Sequence, residues 1–350
     1  MTPSDFTLQW HLTERCNLRC AHCYQQRVCD PGEPSLAEVE RVLDQFVGLL
    51  DALKLSRGRV TLTGGEPFVR EDFFDVLQAV ARRRERLDLA VLTNGTRVDR
   101  DVARRLAQVA PAYVQVSIEG REATHERIRG PGSFGAAVAG LEHLAACGLW
   151  SVVSFTAHRG NYREFPEVAR LARQVRARRV WADRLVPEGR GAELAGDVLD
   201  PEQTRELFAR MRAARPRFSF GHTEVSLHRA LQFLEDGGRP YRCNAGRRLL
   251  ALLPDGTLLP CRRLPMPVGN LRDGSLLSLY QSSPLLNALR GHEIARGCET
   301  CFYKSLCQGG LRCLSRALTG DPFNADPGCW RAAALGREIP SSPTCEEACA

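Results

Sequence analysis

Between Phe6 and Val186, short apolar runs rich in Val, Leu and Thr alternate with longer stretches in which apolar residues recur every three or four positions. The short runs predict strands: FTLQWHL (6–12), RVTLT (59–63), LAVLT (89–93), YVQVSI (113–118), SVVSFT (151–156) and VWADRLV (180–186). The longer stretches predict helices over 36–53, 72–84, 99–108, 134–147 and 165–176, the first opened by a capping-box pattern of Ser35 and Glu38. Six strand–helix repeats imply a parallel sheet with helical crossovers, either doubly wound or curled into a barrel. The residues that do not read as packing fall just after the strands: three cysteines, then TGGEP, TNG, SIEG, AHR and PEG. That placement favours a barrel, where the C-terminal ends of all strands converge on one mouth. The expected fold class is α/β, a partial (β/α)6 TIM-like barrel over residues 1–190 with one open side.

Beyond the barrel the texture changes. Residues 191–242 read as a helical connector, with helices expected over 201–214 and 224–235. From Cys243 short strands, turns such as PDGT and RDGS, and dense cysteine predict a small metal-held module over 243–335, followed by a Cys-containing tail over 336–350.

Composition narrows the classes. Hydrophobic content of 43% and charged content of 25% suit a compact globular protein. The formal charge is +7, but only two of the 48 basic residues, Lys54 and Lys304, are lysines, and the arginines are scattered among acids. No concentrated basic face points to nucleic acid. No apolar run reaches the ~20 residues of a membrane span and the N-terminus lacks a signal-peptide layout, so a cytoplasmic protein without membrane contact is expected. Fourteen cysteines in a reducing compartment are then expected to hold metal rather than form disulfides.

ERCNLRCAHCYQQ (14–26) places Cys16, Cys20 and Cys23 in one loop. Three ligands on a four-coordinate centre leave one position open; a zinc knuckle completed by His22 is the alternative. CNLRCAHC, with Tyr24 behind it, resembles the C-x3-C-x2-C signature of radical S-adenosylmethionine (SAM) enzymes. The resemblance implies that the three thiolates hold a 4Fe-4S cluster whose fourth iron binds SAM. It also implies reductive cleavage of SAM to a 5′-deoxyadenosyl radical that abstracts hydrogen from substrate. GGEP (Gly64, Gly65, Glu66, Pro67) is similar to the family's second-strand motif, with Glu66 holding the SAM amino group. By the same similarity Ser117 and Arg129 are candidates for the SAM ribose or carboxylate, and Leu185 and Val186 for backbone contact with adenine. SIEG departs from the commoner SIDG, moving any contact of the acid by about a methylene. His158, Arg159 and Asp183 are candidates only for substrate contact or proton acceptance.

The later cysteines resemble the SPASM extension of such enzymes, which carries two auxiliary iron–sulfur clusters. The resemblance assigns Cys298, Cys301, Cys307 and Cys329 to an outer cluster, and Cys243 and Cys261 to an inner one. Where the usual next cysteine follows GG, Leu311 stands here, so Cys313 becomes the candidate third inner ligand and no fourth is evident. A zinc ribbon of Cys298, Cys301, Cys307 and Cys313 is the alternative. Cys147 is expected to pack in the core. Cys29 is either incidental or near substrate, and Cys345 or Cys349 is either part of a plain tail or a cap on the inner cluster.

SPASM-bearing members mostly modify ribosomally made peptides or proteins, which is the activity expected here. Because the first strand begins near Phe6, no N-terminal peptide-recognition domain is expected, and a separate carrier protein would serve. An electron donor such as flavodoxin or ferredoxin is implied. The alternatives are decarboxylation or side-chain removal on a tetrapyrrole, and a non-catalytic iron–sulfur or zinc scaffold.

Overall fold

The computed structural model describes residues 6–25, 32–216 and 223–333. Six parallel strands, β1 (Phe6–His11), β2 (Gly58–Thr63), β3 (Leu87–Thr93), β4 (Tyr113–Ser117), β5 (Ser151–Ala157) and β6 (Arg179–Arg184), pair in chain order. Their helical crossovers make the expected partial barrel. The crossover helices Leu36–Ala52, Phe73–Ala81, Arg100–Val109, Ser133–Ala146 and Phe165–Gln174 match the predicted spans to within three residues at each end. Sequence periodicity is enough to place them. Helix Leu36–Ala52, for example, buries Val39, Leu43, Phe46, Leu49 and Leu50, a stripe at three- and four-residue spacing. Its start is fixed by the predicted capping box: Glu38 N donates to Ser35 Oγ (3.3 Å) and Ser35 N to Glu38 Oε2 (2.8 Å).

The sheet does not stop at six strands. On one edge β7 (Glu224–Val225) adds parallel to β6. It occupies the start of the segment expected to be helical; the helix there, Phe233–Asp236, takes in only the last three residues of that segment. On the other edge, three strands of the cysteine-rich region continue the sheet: β8 (Leu249–Leu252), β9 (Thr257–Leu259) and β10 (Gly269–Asn270). β8 runs parallel to β1, with Leu8 opposite Leu250 and Trp10 opposite Leu252, so β1 is an interior strand. Phe6, Leu8 and Trp10 are accordingly buried. Burial of side chains of this size stabilises by ~1.5–3 kcal/mol each.

A helix absent from the sequence reading, Glu122–Arg129, follows β4 and carries Arg129 at its end. Its predominantly polar sequence hides the periodicity, but it places a cation over the mouth. Among the described residues no helix is long and apolar enough to cross a membrane.

Candidate functional site: a cysteine loop over the barrel mouth

The loop after β1 carries Cys16, Cys20 and Cys23 to the rim of a cavity at the strand ends. Neighbouring backbone pins the loop. Ala21 N donates to Ile128 O (2.9 Å), Gly191 N to Cys23 O (2.9 Å), Gly65 N to Thr13 O (2.8 Å) and Glu66 N to Arg15 O (2.9 Å). Close approach explains the glycines of TGGEP. A Cβ on Gly64 would collide with the Thr13 carbonyl, and one on Gly65 with the Arg15 carbonyl. These glycines thus seat the cysteine loop itself, whatever else approaches them.

The thiols are half-buried. Burial pushes the Cys16 and Cys20 thiols up, and the neighbouring cysteines raise both further. Arg129 acts against this at Cys20, where its Nη1 lies 3.8 Å from the sulfur. Three sulfurs that repel one another as thiolates fit a site that a positively charged metal group completes.

Glu66 lies against the TNG turn. It is fully buried and does not line the cavity. Its Oε1 accepts from Thr93 Oγ1 (2.7 Å) and Phe68 N (3.3 Å), and its Oε2 from Asn94 N (2.8 Å). Burial pushes its pKa up to about 7 in spite of these donors. The carboxyl therefore clamps the TNG turn to the GGEP turn. Pro67 starts a short 3-10 turn behind it.

Ser117 and Arg129 do line the cavity. Ser117 stands in a polar ladder, with Ser154 Oγ 3.4 Å from its hydroxyl and Gln115 Nε2 donating to Ser154 Oγ (3.1 Å). Arg129 is held by Glu119, which accepts from its Nε (3.1 Å) and Nη2 (2.5 Å). The same carboxylate accepts from Thr156 N (2.7 Å) and faces His22 Nε2 at 3.3 Å. Burial works to raise the Glu119 pKa, but Arg129 and His22 outweigh it and hold the group well below the usual carboxylate range. The acid of SIEG is thus the anchor of Arg129. His22 presents its Nε2 to Glu119 and lines the same cavity as the three cysteines. The sequence signal was the SIEG acid itself; its cation lies on the unpredicted helix.

Tyr24 lines the mouth, its hydroxyl 3.4 Å from His11 Nε2 and its ring 5.5 Å beneath the Arg262 guanidinium. Leu185 and Val186 also line it. Leu185 N already donates to Ala157 O and Val186 O accepts from Glu188 N. Of the three looser candidates only Asp183 faces the cavity, paired with Arg263 at 2.6 Å. Buried His158 receives Gly160 N on Nδ1 (3.2 Å), and Arg159 lies half-exposed near Asp200; neither lines the cavity.

The remaining cysteines gather in two further cavities. Cys243, Cys261 and Cys313 line one beneath the mouth, inside the sheet; Cys298, Cys301, Cys307 and Cys329 line another. Cys313 therefore joins the set to which it was assigned, away from the ribbon alternative, and burial pushes it far up. Burial raises Cys298 and Cys307 to about 12 each. Among the described residues, no three His, Cys, Asp or Glu are gathered as for one metal ion. Cys147 caps helix Ser133–Ala146 and packs on the core. Cys29, Cys345 and Cys349 lie outside the described residues.

Residues 10–172 match the radical SAM superfamily, and residues 243–302 match SPASM, an iron-sulfur cluster-binding domain. Over 95% of its length the chain is 33% identical to the mycofactocin maturase MftC of Mycolicibacterium smegmatis, covering 85% of that protein. The chain belongs to the radical SAM superfamily. Another relative is the AdoMet-dependent heme synthase of Methanosarcina barkeri, 27% identical over 95% of this chain and 97% of that protein. In fold the chain resembles SuiB of Streptococcus suis, solved bound to precursor peptide SuiA. The TM-score is 0.69 at 16% identity, covering 92% of this chain and 74% of that one. The protein is therefore a radical SAM enzyme that uses a 4Fe-4S cluster and SAM and carries an iron–sulfur-binding C-terminal region. Cys307, Cys313 and Cys329 fall beyond the matched stretch of that region.

Proposed function

We propose that this radical SAM enzyme modifies a ribosomally made peptide or protein, by a crosslink or an oxidation, in the cavity between the cysteine loop and the C-terminal arginines. The single observation that carries this is the wall which that cavity shares with the cavity of the inner cysteines. Leu92, Gln115, Trp181, Asp183, Arg262 and Arg263 line both the mouth and the cavity of Cys243, Cys261 and Cys313. A substrate segment entering the mouth would rest on side chains that also surround the inner cysteine set. The maturase relative and the peptide-bound SuiB structure support a peptide.

In this reading Cys16, Cys20 and Cys23 hold the SAM-binding cluster, Cys243, Cys261 and Cys313 the inner cluster, and Cys298, Cys301, Cys307 and Cys329 the outer one. When bound, the first cluster and SAM supply one-electron chemistry that removes a hydrogen atom from substrate. The chain supplies the surroundings. Glu119 fixes the Arg129 guanidinium beside the cysteine loop, where it meets a carboxylate. Ser117 offers a hydroxyl to a ribose, and Tyr24 and the Arg262 guanidinium close the side toward the C-terminal region. Leu185 and Val186 give an apolar wall, and adenine contact falls to the Leu185 carbonyl and the Val186 N–H. Enclosure keeps water from a reactive radical. We assign residues 1–190 to the barrel, 191–242 to the connector, 243–335 to the cluster module and 336–350 to the tail. We further assign the protein to the cytoplasm, with a flavodoxin- or ferredoxin-like donor and a separate peptide carrier.

Anaerobic incubation with SAM and a reductant should yield 5′-deoxyadenosine, and a Cys16→Ala control should not. Equal amounts from both would sink the radical reading. The heme synthase relative favours a second reading, a tetrapyrrole substrate. Product formation from an iron tetrapyrrole, with none from short peptides encoded beside this chain, would decide for it.

A further inference from the structure

Asp183 and Arg184, adjacent at the end of β6, each reach into the C-terminal region through an ion pair. Asp183 Oδ2 takes Arg263 Nη2 at 2.6 Å. Arg184 and Asp326 form a two-pronged pair, Nη1 to Oδ1 at 2.8 Å and Nη2 to Oδ2 at 2.5 Å, with Arg184 2% and Asp326 1% exposed. Asp326 is fixed further by accepting from Leu311 N (2.8 Å) and Gly328 N (2.9 Å). A Cβ on Gly328 would run into the Arg184 guanidinium, so the contact is tight.

The Asp183–Arg263 pair lies against one cysteine set, and the Arg184–Asp326 pair runs between the two. Arg263 lines the same cavity as Cys243, Cys261 and Cys313, and its charge bears on Cys313 and Cys261 more strongly than that of Asp183 bears on Cys313. The charge of Arg184 also bears on Cys313. Asp326 lines the cavity of Cys298, Cys301, Cys307 and Cys329, and acts on Cys298, Cys307 and Cys329. Glu299 adds negative charge beside Cys298. Arg312 acts on Cys243, Cys298 and Cys307 together and so does not discriminate between the sets. Around the inner cavity Arg229, Arg262 and Arg263 outnumber Asp183, whereas at the outer one Asp326 and Glu299 offset Lys304 and Arg331, so the inner set has the more positive surroundings.

Buried charges are poorly screened, and the potential of an iron–sulfur site follows the charge around it. A nearby cation stabilises the reduced, more negative form; a nearby anion opposes it. We propose that the Arg184–Asp326 pair, with Arg263 beside it, is a potential-setting dipole. It makes the site of Cys243, Cys261 and Cys313 the better electron acceptor, and that of Cys298, Cys301, Cys307 and Cys329 the poorer one. The inference rests on both sets holding iron–sulfur clusters. It orders them in potential, with reducing equivalents collecting at the inner site, next to the cavity.

The test is an anaerobic redox titration of the full, reconstituted chain, followed by electron paramagnetic resonance. The double variant Arg184→Gln/Asp326→Asn removes both charges and keeps hydrogen-bonding groups. Its outer midpoint should rise and its inner midpoint fall. Each shift should be on the order of a tenfold change in the reduced-to-oxidised ratio at fixed poise, about 59 mV for one electron. Arg263→Gln alone should lower the inner midpoint and leave the outer one in place; it carries the test if the double variant does not assemble. Loosened packing would move both midpoints together. Parallel shifts, or none, with wild-type iron content would overturn the dipole. Wild-type protein with iron for the barrel cluster alone would overturn the assignment of the two sets as well, a result that iron analysis separates from the first.

Discussion

Glu66 shows how a residue of the strand-end motifs can tie one turn of the site to the next. Its three partners all donate, which suits a carboxylate, while burial favours the neutral acid. Burial prevails, with the pKa raised from 4.5 to about 7. The folded state then binds more protons than the unfolded state between those values, so stability from this group is full below pH ~4.5 and is lost as pH rises through ~7. The loss is on the order of a few kcal/mol. Thermal melts of apo-protein should therefore fall between pH 5 and pH 8 in the wild type and fall less in Glu66→Gln. At pH 5 the same variant should be less stable by about 1–3 kcal/mol, because an amide NH2 must face a donor. An identical pH slope in both proteins would show that Glu66 is ionised throughout. The contact was not legible in the chain, since Glu66 meets Thr93 and Asn94 from the next strand end, 27 and 28 positions away.

At the scale of elements, the seat of the cysteine loop is two glycines at the end of β2 pressed against the backbone after β1. Gly65→Ala forces the Arg15 carbonyl to move, costing about 1–3 kcal/mol. It should selectively erase the spectroscopic signal of the SAM-binding cluster while the C-terminal clusters remain. Loss of all iron signals together would mean a global fault instead. The strands, the crossover helices and the capping box were legible because apolar periodicity and cap chemistry are local. Helix Glu122–Arg129 was not, because its face toward the barrel is made of Thr124, His125 and Ile128 rather than an apolar stripe. β7 was missed for the opposite reason. Its sequence suits a helix, but the open edge of β6 offers backbone partners to Glu224 and Val225. Pairing at a sheet edge overrides local preference.

For the whole molecule, the joint between barrel and cysteine-rich region is a sheet pairing, with β8 filling the edge of β1 along four residue pairs. A chain ending at residue 242 should therefore expose an apolar strand edge, self-associate on sizing columns and melt well below the full chain. A monomer with the full chain's midpoint would show that the barrel stands alone. Motif order exposed the three cysteine sets in the sequence, but the ion pairs that tie the end of β6 to the cysteine-rich region were hidden. Asp183 and Arg263 are 80 residues apart, and Arg184 and Asp326 are 142 apart. No window along the chain contains both members.

The wall of six residues shared by the two cavities has a consequence for how this enzyme can be watched. Trp181, Asp183, Arg262 and Arg263 are at once the lining a substrate would press upon and the near surroundings of Cys261 and Cys313. Occupancy of the mouth and the electronic state of the inner site are then two readouts of one set of side chains. A molecule settling in the barrel would register in the spectrum of a cluster it never touches.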